Sequence, residues 1–211
     1  MIFQRKEKGA KMRVKVFQYS CIFVIFLISL VNIATADITI SVQDLDKKIL
    51  RVTYTIAFDK PGATDAIFPE QGFDFATGKL NVLKVTDFET GTELLHEIVT
   101  LPNDTNLKSL KIYFLKPIPE PKGRGRHYEQ EVYKVKLTVE AETDKITKDK
   151  EGRYVFLFTT AHENSYFILP QGHVLVYCNY PVLVNEEEGQ TFIQVKQTGK
   201  KNLIFKTRVL K

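Results

Sequence analysis

From Asp37 onward, apolar and polar residues alternate along the chain in short runs. A period of two with β-branched and aromatic residues on the apolar phase is typical of strands that bury one face. The run from Leu50 to Phe58 shows the pattern, and the run from Tyr133 to Ala141 shows it most clearly. The residues from Val174 to Cys178 are apolar on both phases, which predicts a central strand with both faces covered.

About ten such runs follow one another, and none holds the i, i+3, i+4, i+7 spacing of an amphipathic helix over three turns. The sequence therefore predicts an all-β domain, an antiparallel β-sandwich of about ten strands with immunoglobulin-like architecture. An N-terminal hydrophobic or signal helix is expected to precede it.

Turn residues suggest how the strands connect. Gly91 in Glu-Thr-Gly-Thr predicts one hairpin, and Thr198-Gly199-Lys200-Lys201 predicts a last hairpin. The prolines from Pro117 to Pro121 would end a ladder and carry the chain across to the next sheet. We favour one domain over residues 37–211, and a boundary near residues 117–126 between two lobes is the alternative.

Residues 1–36 have the three parts of an export signal. Basic residues come first, an apolar run extends from Cys21 to Val31, and Ala34-Thr35-Ala36 fits a cleavage site. Met12 opens a compact basic region of its own and is a second candidate start. The alternative is an uncleaved membrane anchor over residues 17–36. The expected location is periplasmic or extracellular, or membrane-anchored with the domain outside.

Removing the predicted export signal, residues 1–36, which we call the leader, changes the net charge. The whole chain has 30 basic and 25 acidic residues. Six basic and one acidic residue lie in the leader, which leaves 24 of each sign in residues 37–211. A domain without net charge is not attracted electrostatically to polyanions over long distances, so the composition argues against nucleic acid as a partner.

Cys178 is the one cysteine after the leader, so the domain has no intramolecular disulfide. A thiol nucleophile would need a base, and His162 or His173 could supply one. His173 lies five positions from Cys178, which in a regular strand turns the two side chains to opposite faces. The sequence therefore favours Cys178 as a small core residue.

Metal and phosphate motifs are incomplete. His162-Glu163 begins like H-E-x-x-H, but Tyr166 stands at the second histidine position. The residues from Asn185 to Gly189 lack the alternation of a calcium loop and predict a turn. We therefore expect no metal and no cofactor. Asn103 fits an N-glycosylation acceptor.

The candidate binding surface is the basic, glycine-spaced cluster made by Lys122, Arg124, Arg126 and His127, on a loop that follows the prolines. Flexible basic loops can wrap a phosphate, a sulfated glycan or a lipid head group. The expected partners are an envelope protein, a glycan or the membrane surface. A solvated connecting loop is the alternative interpretation.

Together these features predict an exported, non-enzymatic binding or interaction module of the cell envelope, which recognises partners through loops or a strand edge. One alternative is an envelope enzyme that uses Cys178 or a carboxylate pair from Asp74, Asp87, Glu89 and Glu163. The other is a membrane-tethered assembly subunit.

Overall fold

The structure is a computed structural model that describes residues 34–101, 104–121, 131–160, 162–196 and 199–210. These residues belong to one compact unit and contain fourteen strands. The strands are β1 (Ala34–Asp44), β2 (Ile49–Phe58), β3 (Asp65–Phe68), β4 (Leu80–Asp87), β5 (His96–Leu101), β6 (Asp104–Tyr113), β7 (Tyr133–Glu142), β8 (Ile146–Lys148), β9 (Tyr154–Thr160), β10 (Asn164–Ile168), β11 (His173–Cys178), β12 (Leu183–Glu187), β13 (Gln190–Lys196) and β14 (Lys201–Val209). A short 3₁₀ helix spans Glu70–Phe73.

The strands form three sheets, none of which closes into a barrel in the described part of the chain. The main sheet has seven strands in the order β12-β13-β10-β1-β2-β7-β4. The second sheet has the order β11-β14-β9-β8, and the third has β3-β6-β5. The prediction of an all-β fold is confirmed. The immunoglobulin-like arrangement is not confirmed, and the predicted N-terminal helix lies outside the described residues.

The centre of the main sheet follows directly from the hydrophobic pattern. β2 and β7 pair along ten positions without a break, from Ile49 opposite Glu142 to Phe58 opposite Tyr133. Alternate residues of both strands are buried, as the sequence predicts. Val52 lies opposite Val139 in this ladder, and such apolar cross-strand pairs are what hold a sheet together.

The main sheet is mixed rather than antiparallel. β1 runs antiparallel to β2 but parallel to β10, with Ile38 opposite Ser165 and Ile40 opposite Phe167. Alternation identifies a strand but does not distinguish the direction of its neighbours, because both pairings use the same period of two. The prediction of a purely antiparallel fold is therefore wrong at β1.

An aromatic cluster packs the main sheet against the second sheet. Phe205 of β14 stacks on Phe156 of β9, with ring centroids 4.5 Å apart, and meets Phe167 of β10 edge-on at 5.0 Å. Phe158 lies against both Phe167 and Phe205. Because Phe167 belongs to the main sheet and the others to the second, these rings form the contact between the two sheets.

A second aromatic cluster packs on the same face of the main sheet, around Tyr54 of β2. The ring of Tyr54 is buried among Phe68, Phe73 and Phe75. Its hydroxyl donates a 2.7 Å hydrogen bond to the backbone carbonyl of Gly72 in the 3₁₀ helix. Burial raises the pKa of Tyr54 well above its ordinary value. The phenol thus stays a hydrogen-bond donor and anchors the helix to β2.

One predicted hairpin forms in short form and the other is wrong. Gly91, with φ of 70°, lies in a turn across which Thr86 pairs with Glu93, but the chain then leaves this sheet, since β5 pairs with β6. The strands on either side of Gly199 also separate, since β13 joins β10 and β12 while β14 joins β9 and β11. A turn signal marks a change of direction, and it does not fix the next partner.

The β8–β9 turn is stabilised by one carboxylate. Asp149 accepts hydrogen bonds from the backbone of Glu151 and Arg153, and its second oxygen lies 2.8 Å from Nε of Arg153 and 3.3 Å from Nζ of Lys206. Desolvation acts to raise the pKa of Asp149, but these hydrogen bonds outweigh it and hold the pKa at about 2. Lys206 belongs to β14, so the carboxylate also ties the turn to the next strand.

Because folding lowers the pKa of Asp149 from 3.8 to about 2, its contribution to stability is complete above pH 4 and is lost as the pH falls through 2. We expect the thermal midpoint of Asp149→Asn to lie below that of the wild-type protein at pH 7. The gap should close between pH 4 and pH 2. Melts across that range test this, and a gap that stays constant with pH would contradict the assignment.

Candidate functional site

The predicted basic cluster lies outside the described residues. Lys122, Arg124, Arg126 and His127 all belong to residues 122–130, between the last described residue of the proline-rich crossover and the segment that leads into β7. Asn103 lies outside the description as well. The assignment of a binding role to this cluster therefore stays a prediction.

Cys178 lies at the end of β11, which is an edge strand of the second sheet and not the predicted central strand. Its thiol is free and half-buried, and it packs on the rim of the core. The apolar pattern of β11 misled the prediction because exposed Val176 and Tyr177 occupy positions that a central strand would bury.

His173 and Cys178 lie on the same face of β11, so the prediction that they take opposite faces is wrong. A bulge at Val176 adds one residue to β11, so His173 pairs with Val209 and Cys178 pairs with Phe205. Val209 and Phe205 lie four positions apart on β14, which places His173 and Cys178 on the same face. Four residues of strand still separate them by roughly 13 Å, too far for a thiol and its base.

The histidines occupy separate elements. His162 precedes β10, a strand rather than the helix that H-E-x-x-H requires, and its ring meets Tyr54 with centroids 6.0 Å apart. His173 begins β11, and His96 begins β5 with Nδ1 3.1 Å from the carbonyl oxygen of Leu94. Within the described ranges, no three histidine, cysteine or carboxylate side chains come together as metal ligands.

Of the four carboxylates considered as a catalytic pair, Asp87 is buried and fully engaged. It accepts hydrogen bonds from the backbone and the hydroxyl of Thr90 at 2.7 and 2.8 Å. Desolvation acts to raise the pKa of Asp87, but hydrogen bonds from Tyr133 and Thr90 outweigh it and lower the pKa. Asp87 thus closes the turn after β4. Asp74 lies directly after the 3₁₀ helix, and Glu163 lies directly before β10.

The most open feature of the described fold is the edge of the main sheet at β12, which we call the β12 edge (residues 183–187). All five of its residues are exposed, and it pairs on one side with β13. A two-residue turn at Glu188 and Gly189 joins the strands, with φ of 52° and 74°. Two positive φ values in succession define the tight turn that matches hairpin twist.

The register of this hairpin determines which backbone groups face outward. Glu187 and Gln190 close the two-residue turn, and a closing pair of this kind exchanges both of its backbone hydrogen bonds. Because bonded and non-bonded pairs alternate in an antiparallel ladder, Asn185 and Leu183 also bond to β13. Val184 and Glu186 therefore direct their N–H and C=O groups to the open side.

Side chains give the β12 edge two different halves. Leu183 and Val184 are apolar and more than half exposed, at 64% and 52%. The second half is acidic, with Glu186 and Glu187, and Glu187 accepts a 2.9 Å hydrogen bond from the amide of Asn185. A shallow cleft of about 650 Å³ adjoins this half and is lined by Gln171, Glu187, Glu188, Gln190 and Phe192.

Sequence reasoning missed β12 because it assigned residues 185–189 to a turn. The turn itself is only Glu188-Gly189, and Leu183 to Glu187 form the strand before it. The signal that could have found it is the two-residue spacing between Glu187 and the run that begins at Gln190. Three consecutive glutamates concealed it, since strands are poor in glutamate unless they lie at an exposed edge.

No protein-family model matches the chain, and no curated protein matches it. Solved structures, by contrast, do match the chain. The chain is similar to a two-domain M1 zinc metallopeptidase bound to L-arginine, with a TM-score of 0.48 at 10% identity, over 83% of this chain and 41% of that one. An M1 zinc metallopeptidase from Deinococcus radiodurans bound to a Tyr-Ser-Ala substrate gives the same values.

An aminopeptidase N family protein from Idiomarina loihiensis is similar over 81% of this chain and 29% of its own, with a TM-score of 0.43 at 9% identity. This chain thus spans well under half the length of these enzymes. These findings contradict the expectation of an interaction module of the cell envelope, since the solved structures found are peptidases, and the expectation that the chain is not an enzyme is not confirmed. Among the described residues, no helix is long and apolar enough to cross a membrane.

Proposed function

We propose that this chain is a peptide-binding domain that binds an extended polypeptide segment along the β12 edge. The observation that carries the proposal is the geometry of this edge, where a strand of the largest sheet is exposed at every residue. An extended peptide can add to such an edge as one more strand. The proposal rests on this edge and not on the likeness to solved structures.

Backbone groups supply the affinity. Val184 and Glu186 each offer one N–H donor and one C=O acceptor to the open side, which allows four hydrogen bonds to an added strand. These bonds recognise the main chain of the peptide and not its sequence. A domain that handles polypeptides of varied sequence needs a contact of this kind.

Side chains of the edge supply selectivity. A residue directly opposite another on an added strand lies within about 5 Å of it, so unlike charges and apolar pairs are favoured. The apolar half at Leu183 and Val184 favours apolar residues in the peptide, and Glu186 with Glu187 favours basic ones. Peptides with both kinds of residue should therefore bind best.

We further propose that this domain is not catalytic. What supports this is the placement of its candidate groups. Asp87 is held in structural hydrogen bonds, and the bulge in β11 leaves Cys178 far along the strand from His173. Export through the N-terminal leader is part of the proposal, since a hydrophobic run precedes β1 and the cleavage motif Ala34-Thr35-Ala36 forms the first residues of that strand.

The test is a fluorescence anisotropy titration of the purified full chain with a labelled, end-blocked peptide that alternates lysine, valine and threonine. We expect Val184→Pro to weaken binding about tenfold, because proline removes an outward N–H group. The β12–β13 ladder keeps all its bonds, since Val184 does not bond to β13. Thermal stability of the variant should accordingly stay close to that of the wild type.

The matched control is Val184→Thr, which keeps the N–H group and the β-branched shape and should bind as the wild type does. A second control is the same peptide with N-methyl groups on alternate residues, in both alternations. One alternation should abolish binding and the other should preserve it, because only alternate residues of an added strand face the protein edge. Equal binding by Val184→Pro and the wild type would overturn the proposal.

A further inference from the structure

The segment between β10 and β11 lies against the tip of the β12–β13 hairpin. We call residues 169–173, which end with the first residue of β11, the 169–173 turn. Three hydrogen bonds join it to the hairpin: the N–H of Leu169 donates to the carbonyl of Thr191 at 3.0 Å, the N–H of Gly172 to the carbonyl of Gly189 at 3.1 Å, and Nε2 of Gln190 to the carbonyl of Leu169 at 3.2 Å. Each of residues 189–191 is therefore bonded to this turn.

These bonds matter because the hairpin tip extends beyond the end of β10. The β10–β13 ladder runs from Asn164 opposite Lys196 to Ile168 opposite Phe192, and β10 ends there. On the side away from β12, residues 189–191 bond to the 169–173 turn instead. Within the described ranges, β12 bonds to β13 and otherwise only within itself. The acidic half of the β12 edge is thus held in place through this turn.

Thr191 connects the hairpin tip to the second sheet. Its hydroxyl donates a 2.7 Å hydrogen bond to the backbone carbonyl of His173, the first residue of β11. Thr191 is 3% exposed, and removing one partner of a buried hydrogen bond leaves the other without compensation. The turn is anchored in its own sheet, because the N–H of Leu210, just after β14, donates to the carbonyl of Gly172 at 2.8 Å.

The two halves of the β12 edge are supported in different ways. Thr191 lies directly opposite Glu186, one of the two residues that direct their backbone groups to the open side. The other is Val184, which lies opposite Ile193, and Ile193 pairs in turn with Phe167 of β10. A ladder of strands therefore holds the apolar half. The acidic half depends on the 169–173 turn and on the hydroxyl of Thr191.

We propose that Thr191 is a positioning residue for the β12 edge, and that its bond to His173 holds Glu186 in the geometry that an added strand requires. This inference rests on the proposed function. An edge that moves must be ordered when a peptide binds, and the ordering lowers affinity. Affinity falls by the fraction of time that the edge is competent to bind. Thr191 is buried on β13, so it acts through Glu186 and not by touching the peptide.

Thr191→Val tests the proposal, because valine keeps the β-branched shape and removes the hydroxyl. Loss of one neutral hydrogen bond corresponds to about a two- to tenfold change in an equilibrium constant. We expect the dissociation constant of the end-blocked lysine, valine and threonine peptide to rise by about that factor. Thr191→Ser keeps the hydroxyl and should bind more tightly than Thr191→Val. Circular dichroism checks that each variant is folded.

Amide hydrogen exchange, followed by nuclear magnetic resonance on the same proteins, shows where the structure loosens. In Thr191→Val, the amides of Glu187, Gln190 and Gly172 should exchange about two- to tenfold faster, while those of β2 and β7 keep their wild-type rates. The matched control is Thr53→Val, which removes a hydroxyl bonded to that of Thr138 at 3.2 Å in the middle of the same sheet. This control should change neither exchange at the hairpin nor peptide binding.

Wild-type exchange at those three amides in Thr191→Val would overturn the inference, and so would unchanged peptide binding by this variant. Equal weakening of binding by Thr53→Val or by Thr191→Ser would overturn it too. If Thr191→Val does not fold, Gln190→Ala takes its place, since it removes another hydrogen bond to the turn from a half-buried position and should change binding and exchange in the same direction.

Binding by the wild-type protein distinguishes this inference from the proposed function. A wild-type protein that binds no peptide would overturn the proposed function, and the inference with it. A wild-type protein that binds the peptide, together with a Thr191→Val variant that matches it in affinity and in exchange, would overturn the inference alone.

Discussion

Replacing Phe205 with alanine is expected to lower the free energy of unfolding by about 3–5 kcal/mol. The ring is 2% exposed and touches Phe156, Phe158 and Phe167. Its removal leaves a cavity between the main and second sheets, and neither sheet can collapse into it without breaking its own ladder. Urea unfolding followed by circular dichroism measures the loss as a shift of the midpoint at constant slope.

Leu157→Ala is the matched control for this variant. Leu157 lies on β9 next to Phe156 and Phe158, but its side chain is 42% exposed on the outer face. We expect a change within about 1 kcal/mol for this substitution. A loss at Phe205 no larger than the loss at Leu157 would show that the aromatic cluster does not hold the two sheets together.

Gly72→Ala is expected to cost about 1–3 kcal/mol through overcrowding. A methyl group at Gly72 would lie well inside van der Waals contact with the ring of Phe68. That ring is 3% exposed and packed against Tyr54 and Phe73, so it has no free space into which to move. Thermal unfolding of the variant measures the cost.

A second substitution separates crowding from other effects at this position. Combining Gly72→Ala with Phe68→Leu shortens the crowding side chain, so the two changes together should cost less than the sum of each alone. Gly78→Ala is the comparison variant, because the groups nearest to a methyl there are the carboxylate oxygen and Cβ of the exposed Glu142, at 2.7 and 3.0 Å, rather than a buried ring. Additive costs in the double variant would contradict the crowding mechanism.

The strands themselves could be predicted wherever one face is buried and the other is in water. β7 alternates buried and less buried residues along its whole length, and β2 does so from Ile49 to Ile56, because one face of these strands packs on the core and the other faces water. The partner of each strand could not be predicted. Gly91 and Gly199 mark real turns, yet each leads to a different sheet, and long-range packing decides that choice.

The bulge at Val176 shows a second limit of the sequence pattern. Counting positions placed His173 and Cys178 on opposite faces, and one extra residue in the ladder reversed the result. No local sequence signal marks this bulge, since its residue is a valine rather than the glycine that often marks one. Errors of this kind affect every inference about which face a residue takes beyond the bulge.

The candidate site depended most on information that the sequence does not hold. In the described fold, β12 is an edge because no strand pairs with its outer side. A strand can be recognised as an edge only once the order of strands in the sheet is known. Its glutamates, which look like a turn in sequence, are the kind of residue that keeps an open edge soluble. β11 was misassigned in the opposite sense, because its apolar residues resemble those of a central strand although it lies at an edge.

The position of β1 has a consequence for how the molecule is made. This strand sits between β2, which follows it directly, and β10, whose Ser165 pairs with Ile38 from 127 residues further along the chain. Because the chain is synthesised from its N-terminus, the side of β1 that pairs with β10 stays unpaired until β10 has been synthesised. Loop closure over that span is slow, and an open strand edge invites aggregation meanwhile. We therefore expect C-terminal truncations that remove β10 to leave one side of β1 unpaired and to impair folding of the domain.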